Sequence, residues 1–188
     1  MKPTVAIVAL CITAAVLFGV IHDQITARIC LEYFTIGHPR IFASNSPTLH
    51  ALYWGVAATW WVGLIAGGLL AVAARVGRWP KLTARDLWPL IVGLLVVMGI
   101  VAVVTAKFSR RLAQHYSLQN EPIIKPGGDV SPGERVDYVV VSFIHAASYN
   151  TAFVGTVVVA AIVVVWRWRK HRAVKIARER VQPFTPIS

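Results

Sequence analysis

Four stretches of this chain contain no charged side chain: Thr4 to Ile21, Leu49 to Ala74, Leu87 to Ala106 and Tyr138 to Trp166. A bilayer's hydrocarbon core is about 30 Å thick and a helix rises about 1.5 Å per residue, so roughly 20 apolar residues cross it. Each stretch is close to that length or longer, and lipid tolerates only backbone that satisfies its own hydrogen bonds. The expectation is an all-α fold, a four-helix transmembrane bundle forming one integral membrane domain over residues 1–188. Composition agrees: 56% of the 188 residues are hydrophobic and only 14% charged, against about 25% charged in an ordinary soluble domain. Lys2 ahead of the first run also fits a cleaved signal peptide. No small-x-small pattern closes that run, however, so the first span is expected to be retained.

A net charge of +11 does not argue for nucleic acid, because the basic residues flank apolar runs instead of interleaving with polar aromatics. They set topology. Four spans put Lys2, the Arg75 to Arg85 connection and the tail over 167–188 on one side, and these segments hold twelve of the nineteen Lys and Arg residues. The positive-inside rule makes that side cytoplasmic, with both termini inside and outer loops over 22–48 and 107–137. Arg167, Arg169, Lys170, Arg172, Lys175, Arg178 and Arg180 in the tail are expected to rest against anionic lipid headgroups.

The segment from His22 to Phe42 follows directly on the first apolar run. Nothing from Asp23 to Ile36 is Gly or Pro, so the helix is expected to continue to Ile36 and project about 20 Å beyond the lipid core. On that projection His22, Thr26 and Tyr33 share one face, while Gln24, Arg28 and Glu32 form another with a weak Arg28 to Glu32 pair. If one helix carries both Cys11 and Cys30, about 28 Å separates them, too far for a disulfide. Gly63 and Gly67 form a small-xxx-small pattern that suits a close internal helix contact. Thr83 and Asp86 have the spacing of a capping box.

His-Asp-Gln-x-Thr-x-Arg-x-Cys-x-Glu-Tyr-Phe-Thr-x-Gly-His-Pro, here His22 to Pro39, resembles a group of small bacterial multi-span inner-membrane proteins. The resemblance also takes in Ser46-Pro47-Thr48. It implies a bacterial inner-membrane setting and no activity.

The even number of spans places His22, His38, His50, His115 and His145 at or near one boundary, together with Asp23, Glu32, Tyr33 and Tyr149. A polar cluster of His22, Asp23, Glu32, Tyr33, His38, His50, His145 and Tyr149 is therefore geometrically open to the chain. His145 lies about two turns inside the fourth span, with Ser148 and Tyr149 on its face at i+3 and i+4, and polar groups at that depth usually have internal partners. Its expected partner is Asp23, His22, Tyr33 or His50. Imidazoles with Asp23 suit a divalent transition metal or proton exchange with a substrate. A haem would need facing axial histidines, and only His50 and His145 are candidates. The sequence contains no His-Glu-x-x-His, Gly-x-Ser-x-Gly or Cys-x-x-Cys, so it specifies neither reaction nor cofactor.

Three functions stand in order. The first is a non-catalytic membrane or complex-associated component, meeting a membrane-protein partner or a second copy through its outer cap. The second is a small membrane enzyme or metal-binding protein using the polar cluster. The third is an oligomeric transporter or channel, placed last because the spans lack mid-span charge and the Pro or Gly breaks of discontinuous transport helices.

Overall fold

The computed structural model describes residues 2–181, with side chains through residue 177. Its helices are α1 (Pro3–Ile29), a single turn α2 (Glu32–Thr35), α3 (Pro47–Ala57), α4 (Trp60–Arg75), α5 (Ala84–His115) and α6 (Arg135–Val181). Among the described residues, four helical segments are long and apolar enough to cross a membrane: Pro3–Ile29, Pro47–Arg75, Ala84–His115 and Pro132–Ala177. Their mean hydropathies run from 1.9 to 2.8. The other elements are two 3-10 turns, Leu118–Asn120 and Pro132–Glu134, and a small hairpin of β1 (Ile124–Lys125) and β2 (Gly128–Asp129).

The helices pack as α1 against α3 and α4, α5 against α6, and α4 against α6. At one end α4 leads into α5 and Arg75, Arg78, Lys81 and Arg85 collect; this is the basic end. Here Ile7, Leu70, Leu82, Leu87, Ile91 and Val163 form the largest apolar cluster. At the opposite, capped end, α1 finishes, α6 begins, and α2 and the third loop lie across the helix ends.

Glycine determines how closely α1 approaches α3 and α4. A Cβ on Gly63 would stand 2.6 Å from the Ile12 Cα, and one on Gly19 would stand 2.5 Å from the Gly55 carbonyl oxygen. No side chain fits either place, so the small-xxx-small stripe serves contact inside the chain.

Arg167 closes the basic end. Its guanidinium donates to the carbonyls of Ala73 (2.5 Å), Val76 (2.8 Å), Trp79 (3.2 Å) and Pro80 (2.9 Å). These are carbonyls at and beyond the C-terminus of α4, which have no partner within that helix. An arginine reaching from α6 thus fixes the turn into α5, whose start is capped as the sequence suggests. Asp86 accepts from the Thr83 N–H (2.8 Å) and hydroxyl (2.7 Å).

Several expected boundaries move. α1 does not run to Ile36: Cys30 turns extended at φ −147°, and its N–H makes the last helical bond to Thr26. Breaking there lets Phe34 fold back to 1% exposure, apolar burial that a straight projection into water would forfeit. The expected Arg28 to Glu32 pair is absent as a consequence. Arg28 instead donates to the Gln24 side chain (2.7 Å) and Thr48 hydroxyl (2.9 Å), while Glu32 accepts from the Ser131 N–H (2.8 Å) and hydroxyl (2.5 Å).

The second apolar stretch is two helices, because the chain turns at Ala58 and Thr59 without Pro or Gly at the break. The Thr59 hydroxyl donates back to the Gly55 carbonyl, a local alternative to helical pairing that threonine readily takes. α5 continues past Lys107 to His115, into the stretch expected to be the outer loop over 107–137. The basic tail is no separate segment: it prolongs α6, with Lys170 over the Trp166 ring and Arg172 over the Trp168 ring. The side chains of Arg178 and Arg180, and residues 182–188, lie outside the described part.

Candidate functional site

The last two turns of α1 carry His22, Asp23 and Thr26, and the third and fourth turns of α6 carry His145 and Ser148. Spacings of i+4 on α1 and i+3 on α6 hold His22 with Thr26, and His145 with Ser148, on facing sides of the two helices. All five are buried, His22 to 9%, Asp23 to 4% and His145 to 8%. Buried polar groups need partners, and here each has one.

His22 Nδ1 donates to Asp23 Oδ1 at 3.1 Å, while its Nε2 meets the Ser148 hydroxyl at 3.2 Å. The Thr26 hydroxyl donates to the His22 carbonyl, so its oxygen accepts from His145 Nε2 at 3.2 Å. His145 Nε2 also stands 3.8 Å from Asp23 Oδ1. The His22 and His145 rings meet edge to face, with centroids 4.7 Å apart. Ligand atoms of His22, Asp23 and His145 all fall within 4.8 Å of one another.

Above this cluster α2 forms a lid. Tyr33 tilts over His145 with ring centroids 4.6 Å apart, and Phe34 lies at 5.8 Å. Burial holds the Tyr33 phenol above its ordinary pKa, and Tyr149, Tyr138 and Asp23 nearby add to that shift; it remains a neutral hydroxyl. Below the cluster lies a cavity of about 90 Å³, bordered by His22, Asp23, His145 and Tyr149 and otherwise mostly by apolar groups such as Ala14, Phe18 and Met98.

The residues singled out from the sequence thus divide. His22, Asp23 and His145 come together, Tyr33 covers them, and Tyr149 lines the cavity with its hydroxyl donating to the Ala58 carbonyl at 3.3 Å. His38 is one ring further out: it meets Tyr33 edge to face and lies tilted against Trp54, and its Nδ1 donates to the Tyr33 carbonyl at 2.8 Å. Glu32 is engaged by Ser131. His50 is fully buried elsewhere, donating to the Ser44 carbonyl at 2.9 Å beside Phe42. His50 and His145 therefore do not face each other as haem ligands must. The hydrogen-bond partner of His145 is Thr26 and none of the four expected, because the fold of α2 brings Tyr33 in by its ring face. Thr26 and Ser148 are the site residues the sequence reading left out, though their spacing from His22 and His145 was their signal.

The chain matches no family model, no curated protein and no solved structure, so the site is read on its own chemistry. Two imidazoles and one carboxylate are a common donor set for zinc and other divalent transition metals. Tetrahedral coordination at about 2.0–2.1 Å puts ligand atoms about 3.3 Å apart. The two separations from Asp23, 3.1 and 3.8 Å, lie on either side of that value, and the whole set falls within 4.8 Å, so the two imidazoles draw in on coordination. Ser148 is placed to hold the outer nitrogen of a ligating His22. Thr26 occupies the His145 nitrogen that would coordinate, and Asp23 the coordinating Nδ1 of His22, so coordination replaces both hydrogen bonds.

Proposed function

We propose that this chain is a multi-pass protein of the bacterial inner membrane, both termini cytoplasmic, that holds a divalent transition-metal ion at His22, Asp23 and His145 near the extracytoplasmic face. The observation carrying the metal reading is the convergence of three buried ligand atoms from two helices. That convergence moves metal handling ahead of the non-catalytic, partner-supporting reading. The membrane setting draws on four apolar helices and on the resemblance of the His22 to Pro39 stretch, and the orientation draws on basic residues gathered at one end.

His22 and His145 act here as neutral imidazole ligands, and Asp23 offsets one unit of the ion's charge. A bound ion would act on an added ligand as a Lewis acid. Phe34 and the Tyr33 ring shield the site, and the way in runs through the cavity.

Metal analysis of the detergent-purified protein tests this. About one equivalent of zinc, copper or iron is expected, falling at least tenfold in the His22→Ala and His145→Ala variants, since even losing a group that only hydrogen-bonds a ligand costs roughly 10–100-fold in affinity. A well-folded protein that takes up no metal, or variants that retain it, would sink the reading.

A further inference from the structure

The four uncharged stretches contain a single carboxamide, Asn150. Along α6 it stands about 18 Å from Tyr138 and about 24 Å from Trp166, near the middle of the apolar run, and its side chain is exposed. One amide N–H donates to the Ala146 carbonyl at 2.8 Å. The other N–H and Oδ1 have no partner among the described residues. Polar groups within a span ordinarily face the bundle interior, where partners are found. This one faces out, is too short to reach a headgroup layer, and is costly to leave unpaired in hydrocarbon. Beside it a groove of about 700 Å³ runs between α5 and α6, with Gly93, Val97, Val154 and Val158 in its walls. Val154 and Val158 follow Asn150 at i+4 and i+8 on one face of α6 and are 59% and 52% exposed. Gly93 leaves the α5 wall open, since nothing lies within 4 Å of where its Cβ would stand.

We infer that this face of α6 is an interface between two copies of the chain, related by a two-fold axis along the membrane normal, with their Asn150 amides hydrogen-bonded to each other. Copies inserted the same way hold each residue at the same depth as its counterpart, so a mid-span Asn150 meets Asn150 across the axis without offset. A carboxamide donates and accepts at once and is therefore its own complement. A partner of another sequence would need a polar group of its own at that depth; a second copy has one by construction. The open notch at Gly93 gives the approaching helix room, as small residues do in lipid. The inference rests on the membrane setting proposed above, holds for either orientation of the chain, and does not depend on the metal.

The test puts the full chain, labelled after Ser188 with a donor or an acceptor dye, into liposomes of phosphatidylethanolamine and phosphatidylglycerol and follows energy transfer as added lipid dilutes the protein. A saturable two-body curve is expected for the wild type. In Asn150→Leu its midpoint should move to roughly tenfold higher protein density, the scale of hydrogen bonding between helices in lipid, whereas Asn150→Gln keeps most of the affinity. Gly93→Leu, which fills the notch from a position open in the single copy, should weaken pairing as well, and Ile65→Ala on the exposed face of α4 should leave it unchanged. Circular dichroism checks that each variant keeps its helices. Transfer no greater than random proximity gives at every density, or a curve that Asn150→Leu leaves in place, would overturn the inference. Carbonate extraction of cell membranes separates it from the setting: a protein retained in the membrane yet unpaired refutes the interface alone, and one washed out refutes both.

Discussion

His145 illustrates how a polar residue is carried inside an apolar helix. Its ring touches His22, Tyr33 and Phe34, and its Nε2 has the Thr26 hydroxyl, so the cost of burial is met by one hydrogen bond and three ring contacts. The sequence placed His145 near His22 and Asp23 through span counting alone. It could not place Thr26 against it, because that pairing depends on the rotation of two helices about their axes, which no spacing within one helix encodes. Cys30 gives a separate test at this scale. Burial pushes its thiol up to about 12, the Tyr33 backbone acting in the opposite direction and Glu134 reinforcing the rise. At pH 8 about one thiol in ten thousand is ionised at such a value, so alkylation by iodoacetamide is expected to be negligible until the protein is unfolded in detergent. The raised value also sets a sign. Cys30 and Tyr33 favour the folded state fully below their unfolded values of 9.0 and 10.0, and that advantage is lost as pH rises beyond them. Melting temperature should therefore be level with respect to these groups up to about pH 9 and fall above it, the fall shrinking in Cys30→Ala.

Among the elements, the helices with uncharged runs were legible, as was the capped start of α5, whereas the end of α1 and the break between α3 and α4 were not. α1 stops at Ile29 and the α3–α4 pair parts at Thr59, neither at a Gly or Pro. Both breaks are decided by what tertiary contact offers: burial of Phe34 in the first case, and in the second a glycine contact between Gly19 and Gly55 followed by a threonine hydroxyl turned back on the backbone. The break in the second span also qualifies the argument that placed transport last, since a discontinuous helix is present without the residues that usually announce one. The return of α4 depends on a single side chain from α6. Removing the Arg167 guanidinium leaves four carbonyls without their donor, and Arg167→Ala is expected to cost about 2–4 kcal/mol. Arg167→Lys should recover little of it, since an ammonium lacks the planar fork that reaches four acceptors. Thermal unfolding of both variants in detergent checks this; a melting temperature unchanged in Arg167→Ala would remove the capping role.

For the whole molecule, charge and topology are two sides of one pattern. Arg75, Arg78, Lys81 and Arg85 share an end with the helical extension of α6 that carries Arg167, Arg169, Lys170, Arg172 and Lys175, whereas His22, Asp23 and His145 occupy the other. If the positive-inside rule governs insertion, a phosphatase reporter fused after Ser188 is inactive and one inserted in the 124–129 hairpin is active; the opposite pattern would turn the site toward the cytoplasm. The claim at the centre is that two helices far apart in sequence build one ligand set, and cobalt(II) titration of the full-length protein addresses it most directly. Binding of one equivalent should bring up visible ligand-field bands of a four- or five-coordinate site in the wild type, absent from His22→Ala, Asp23→Asn and His145→Ala alike. Spectra that survive loss of any one of the three, or that never form in the folded wild type, would contradict it.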